Sequence, residues 1–126
     1  MVDLYTERRP ELPLSYVSFI EGYGEWEGDL GDDLGYVMLW DKAAIQECYV
    51  DCEMAEYLNA RWFPFGSNGG GEMLCFDLLS GTDQVYWIPY IGMSDEAAMP
   101  LYDSFAEVAV AVRKNAKQGG GADGTT

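Results

Sequence analysis

"FPFGSNGGGEMLCFDLLSG", residues Phe63 to Gly81, is the stretch whose reading decides the fold. It carries five of the chain's fifteen glycines, and Gly66, Gly69, Gly70 and Gly71 fall within six positions. Apolar residues stand on both sides of them. A phosphate cradle of the Gly-x-x-x-x-Gly-Lys-Ser/Thr type needs a lysine to neutralise phosphate and a hydroxyl for magnesium. Gly66 and Gly71 have that spacing, but Glu72 replaces the lysine and Met73 the hydroxyl, and a carboxylate there would repel phosphate. The dinucleotide pattern Gly-x-Gly-x-x-Gly fails as well, because its third glycine would fall on Leu74. Consecutive glycines reach positive φ without a Cβ clash, so a tight reversal between neighbouring strands can form. Gly66, Gly69, Gly70 and Gly71 are therefore read as the structural residues of a hairpin. A β-branched side chain at Gly70 or Gly71 is expected to strain it.

Working outward, strands are expected at Trp62–Phe65 and Met73–Leu79, and "SGTD" turns into another, "QVYWIPYI". Apolar residues on both faces of the last two place them centrally in a sheet. Upstream, "LPLSYVSFIEGYG" predicts a helix with Pro13 at its first position, Leu14, Val17 and Ile20 on one face, and glycines to stop it. "YGEWEGDLGDDLGYVMLWD" reads as a glycine- and aspartate-rich loop entering a strand, Tyr36–Trp40. Asp41 is the expected N-cap of a second helix through Leu58 with Ala44, Ile45, Cys48, Cys52 and Ala55 on its apolar side. Pro100 is expected to open a last helix through Lys114, burying Leu101, Phe105, Val108 and Val112. The order predicts a single α+β domain over residues 1–114, with an antiparallel or mixed sheet of about four to six strands packed against about three helices. The glycine-rich tail, 115–126, has nothing to bury and is expected to be disordered.

The chain has 126 residues, 22 acidic and 7 basic, no histidine, and a net charge of −15. Nucleic-acid binders gain affinity from lysine and arginine, so direct nucleic-acid binding is excluded, and an anionic membrane surface is disfavoured. No apolar run approaches the ~20 residues needed to span a bilayer. The N-terminus "MVDLYTERRPELP" lacks the pattern of a secretory signal, so a cytoplasmic location is expected. Three cysteines, with no histidine, suit reduced thiols better than zinc. The commonest general base is missing too, and no nucleophile–base pair is visible. No catalytic residue, metal or cofactor is assigned. Asp32 and Asp33 are neighbours on a loop, a pattern that is usually only solvated.

"LPLSYVSFI", "VMLW", "FPFGSNGGGEMLCFDL", "QVYWIPY" and "SFAEV", in this order, resemble the SUKH superfamily, which groups bacterial immunity proteins with Smi/Knr-type fungal regulators of cell-wall synthesis. The resemblance spans about residues 12 to 112, and its most specific part is the glycine segment. Asn68 stands where aspartate is commoner, and the first helix ends "GYGEWEG" instead of Asn-Gly-Gly, which leaves the first loop's shape open. The resemblance implies a non-enzymatic protein that binds and neutralises a cognate bacterial toxin, often a nuclease. The alternative it leaves is a regulatory or scaffold protein of the Smi/Knr type without a toxin partner.

The charge distribution fits the first reading on separate grounds. Eleven of the 22 acidic residues lie between Glu21 and Glu56, opposed only by Lys42. An acidic protein can occupy a nuclease's basic cleft as a phosphate mimic, and aromatics commonly anchor interfaces. Tyr23, Glu25, Trp26, Glu27, Asp29, Asp32 and Asp33 are accordingly the candidate partner-binding residues, with Trp40 expected in the core. The oligomeric state is left open.

Overall fold

The computed structural model describes residues 3–32 and 34–124, with side chains through Asn115. Asp33 lies outside the described residues. Six strands form one antiparallel meander in the order β1-β2-β3-β4-β5-β6: Trp26–Asp29, Tyr36–Leu39, Trp62–Ser67, Glu72–Asp77, Val85–Pro89 and Met99–Tyr102. The helices are α1 (Leu4–Arg8), α2 (Leu14–Gly22), α3 (Lys42–Asp51), α4 (Met54–Tyr57) and α5 (Phe105–Gly124). The α+β architecture expected from the sequence is the one observed.

Alternation on the central strands explains their unbroken apolar sequence. Phe63, Phe65, Leu74, Phe76 and Val85 point to one face, where Tyr16 and Phe19 of α2 and Phe105, Val108 and Val112 of α5 complete the larger core. Trp62, Met73, Cys75 and Ile88 point to the other and meet Met54 and Leu58 in a second cluster. Phe65 and Phe76 stack at 4.3 Å between ring centres, and Phe105 meets both edge-on at 5.5 and 5.8 Å. Such geometries place the ring edge against the electron-rich face. A strand with two buried faces has no polar side to show in its sequence.

The glycine segment is the β3–β4 hairpin. Asn68 Oδ1 accepts from the Gly70 and Glu72 amides at 2.8 and 3.3 Å, and its Nδ2 donates to Glu72 Oε1 at 2.9 Å. Gly69 and Gly71 have φ of 76° and 101°, a region that favours glycine. Gly70 does not, so the strain expected of a side chain there belongs to Gly71 alone. Gly66 is required for another reason. It follows a register shift between Pro64 and Gly66, and a Cβ there would run into the Met38 carbonyl oxygen of β2.

Several local expectations fail. Residues Leu4–Arg8 form a helix that the sequence did not announce, capped by Asp3 and fixed by the burial of Leu4 and Tyr5. Pro13 caps α2 from outside, with the helix starting at Leu14. The second helix breaks at Cys52, where Glu53 takes a left-handed φ of 53° and the chain turns Met54 and Leu58 into the second cluster. Ala55, expected on the buried side, is exposed. Pro100 lies in edge strand β6, where a missing N–H is tolerated. The last helix begins at Phe105 because Ser104 and Asp83 accept from the Glu107 and Ala106 amides, and Leu101 remains exposed. Its backbone is helical to Gly124, past the expected end at Lys114.

Candidate functional site

Glutamate, glycine and aspartate are poor strand formers, yet "WEGD" at Trp26–Asp29 pairs along its whole length with β2. Trp26 opposes Leu39 and Gly28 opposes Val37, so these side chains share the core face. The Trp26 ring lies over Gly28, where an added Cβ would come within 2.8 Å of it. Glu27 and Asp29, opposite Met38 and Tyr36, take the other face and are exposed. The segment taken for a loop is thus an edge strand, and tertiary pairing overrides its local propensity.

An open cleft of about 230 Å³ lies against this edge, lined by Glu25, Trp26, Glu27, Met38, Leu39, Trp40 and Ala44. Of the expected partner-binding residues, Glu25, Trp26 and Glu27 come together here. Asp29 lies further along the strand and accepts from the Gly31 amide at 2.8 Å, while Asp32 is exposed on the loop beyond. Tyr23 stands apart, stacked on Phe19 at 5.0 Å at the end of α2. Trp40 packs against both cores, as expected, and also lines the cleft. Met38 was not anticipated, and its only sequence signal is its place in an apolar strand.

Tyr36 joins this edge to the glycine hairpin. Its hydroxyl donates to Glu27, and its ring sits beside Gly69, 3.1 Å from where a Cβ would be. A side chain at Gly69 would therefore disturb the acidic edge as well as the turn.

Among the described residues the ion pairs are Arg8–Glu7, Arg9–Glu21 and Arg61–Asp77, and none reaches β1. Lys42, the only cation within the acidic stretch, sits 4.8 Å from the centre of the Tyr5 ring. Glu21 is engaged elsewhere: Arg9 Nε at 2.7 Å and the Tyr5 hydroxyl at 2.8 Å donate to it and hold its carboxyl down at about 2. Asp77 is bound by the Arg61 guanidinium, with Nε at 2.8 Å from Oδ1, and lies below the usual carboxylate range for that reason. Among the described residues no arginine or lysine pairs with Glu25, Glu27, Asp29 or Asp32; Glu27 accepts from the Tyr36 hydroxyl and Asp29 from the Gly31 amide.

Cys48 and Cys52 face each other at 3.7 Å between sulfurs, and Cys75 is buried. Burial pushes the Cys48 thiol up to about 12, which favours a protonated, unreactive group. Among the described residues no three histidine, cysteine or carboxylate side chains are grouped to hold a metal, and no helix is long and apolar enough to cross a membrane.

A six-stranded meander with helices on it, closed by a glycine hairpin and bearing an acidic edge, defines an α+β domain of the SUKH type. The SMI1 / KNR4 family (SUKH-1) matches residues 9–109, and the chain belongs to that family. No curated protein matches the sequence significantly.

Proposed function

We propose that this protein is a non-enzymatic immunity protein that neutralises a cognate bacterial toxin, of the nuclease kind, by direct binding. Family membership supports a binding domain, and one observation carries the choice of partner. Glu25 and Glu27 stand exposed at an aromatic cleft, with Asp29 and Asp32 exposed further along the same edge, and none has a paired cation among the described residues. Desolvating carboxylates is costly unless cations meet them, so this surface favours a basic partner and disfavours nucleic acid or a second copy of a chain of charge −15. A nuclease cleft shaped for phosphates has the required sign.

The test begins with the neighbouring genes, where a secreted protein with a C-terminal toxin domain is expected, and takes that domain as the partner. Co-expression is expected to restore growth, and the purified proteins to form a 1:1 complex that abolishes the toxin's activity. A toxin that remains active and unbound overturns the immunity reading in favour of a regulatory, Smi/Knr-type role.

A further inference from the structure

Two main-chain bonds fix the phase of the β1 ladder. Leu30 N donates to Gly35 O at 2.8 Å, and Trp40 N to Phe65 O at 3.0 Å. Bonding directions alternate along a strand, so Trp26 and Gly28 bond inward to β2 while the main-chain groups of Glu27 and Asp29 point to the open edge. Asn115 confirms the direction from outside: its Nδ2 donates to the Asp29 carbonyl at 3.4 Å. The Glu27 amide and carbonyl are left facing outward, directly beside the cleft.

The chemistry of that cleft selects its occupant. Trp26, Trp40 and Met38 are among its lining residues, together with Glu25 and Glu27. Aromatic faces attract cations, and carboxylates bind them more strongly. A guanidinium satisfies both, since it stacks on indole and offers parallel N–H groups to a carboxylate. The volume is several times the ~30 Å³ of a liquid water molecule, so the cleft admits a side chain and not only solvent.

We propose that β1 is a strand-addition site for an extended basic segment of a partner protein, which pairs with the Glu27 main chain and places an arginine in the Trp26–Trp40 cleft. This deepens the proposed function and rests on its reading of the acidic edge as the partner-binding surface. Main-chain pairing gives affinity and the alternating side chains give selectivity, as in other cases of β-augmentation.

The probe is a short blocked peptide alternating arginine with valine, titrated into the isotope-labelled full chain. Amide shifts are expected at Glu25–Asp29 and Met38–Trp40, with slowed hydrogen exchange at Glu27. N-methylating alternate peptide residues, or replacing arginine with citrulline, should each weaken binding about tenfold, as should the double variant Glu25→Gln, Glu27→Gln. Asn115→Ala should bind at least as tightly, because it frees the Asp29 carbonyl. Absence of binding, shifts centred on β6, or equal affinity for the N-methylated peptide would overturn the proposal. The outcome is separable from the immunity reading. A neutralising toxin complex that the peptide does not displace leaves that reading standing and removes this one. Peptide binding as described, with no toxin neutralised, does the reverse.

Discussion

The sheet has two edges, and the sequence treats them differently. β6 presents Met99 and Leu101, 54% and 37% exposed, and places Pro100 between them. β1 has no proline and presents Glu27 and Asp29. Proline removes a donor and discourages pairing with any strand, whereas like charge discourages pairing only with strands of the same sign. The β1 edge therefore disfavours pairing with copies of this acidic chain more than pairing with a basic strand. The edges also differ in attachment. β3, β4 and β5 are joined by five-residue ladders, but the β2–β3 ladder has two pairs, Met38↔Ser67 and Leu39↔Gly66, with one flanking bond from Trp40 N to Phe65 O. The acidic β1–β2 hairpin hangs on a short seam, and Gly66 is half of it.

The largest expected effect breaks that seam. A Cβ at Gly66 would meet a backbone oxygen that cannot rotate away, so Gly66→Ala should destabilise the fold by about 3 kcal/mol, the upper range for overpacking. Hydrogen exchange should rise first in Trp26–Leu39, while β4–β6 stay protected until global unfolding. Equal loosening of both edges would show that the seam is not what holds β1–β2. A smaller effect separates the adjacent turn glycines. Gly71→Val should cost roughly 2 kcal/mol because φ is 101°, and Gly70→Val under about 1 kcal/mol, since its φ is ordinary and its nearest neighbours are the ends of Asn68 and Glu72 at 3.5 and 3.7 Å. Matching thermal midpoints for the two variants would contradict this assignment.

The same contrast explains what could be read beforehand. The glycine hairpin and the central strands were legible because positive-φ turns need glycine and two-sided burial leaves a continuous apolar run. β1 was hidden because three of the four residues of "WEGD" are poor strand formers, and pairing with β2 makes it a strand. β6 was mistaken for a helix start because Pro100 suits both, and the deciding residue, Asp83, lies across the fold. Its Oδ2 accepts from Ser15 Oγ at 2.9 Å and from the Ala106 amide at 3.0 Å. The acidic character of the site was visible as composition, and Glu25, Trp26 and Glu27 do meet. That Tyr23 would turn away onto Phe19, and that Met38 would line the cleft, depends on register that spacing does not carry.

Charge reversal tests the two edges against each other at an intermediate scale. Glu25→Lys, Glu27→Lys and Asp29→Lys together should slow toxin association about tenfold or more at low salt, with the difference shrinking as salt shortens the screening length. Glu96→Lys with Asp103→Lys, exposed carboxylates flanking β6, changes the net charge in the same direction and should slow it less than about threefold. Asp83 is left unchanged because its carboxylate caps α5. Stopped-flow association rates at several salt concentrations decide, and a β6 variant slower than the β1 variant would move the binding surface to the other edge.

The smallest effect concerns Glu21, which belongs to the acidic stretch by sequence but is held by Arg9 and Tyr5. Its carboxylate is occupied by Arg9 and Tyr5, which lower its pKa from 4.5 to about 2. A group depressed on folding contributes stability that is fully present above the unfolded value and is lost as pH falls through the folded one. The Glu21 contribution should therefore hold above pH 4.5 and fade toward pH 2, and Glu21→Gln should flatten that part of the acid-unfolding curve. The pair is largely exposed and screened, so the change in thermal midpoint at neutral pH should be slight. Toxin association should change less than about twofold, because the carboxylate is already paired and offers little to a basic partner. Acid titrations of both proteins, with association rates at neutral pH, check the two halves together. A Glu21→Gln variant that binds as slowly as the β1 triple reversal would mean that the partner reads total charge and not the edge.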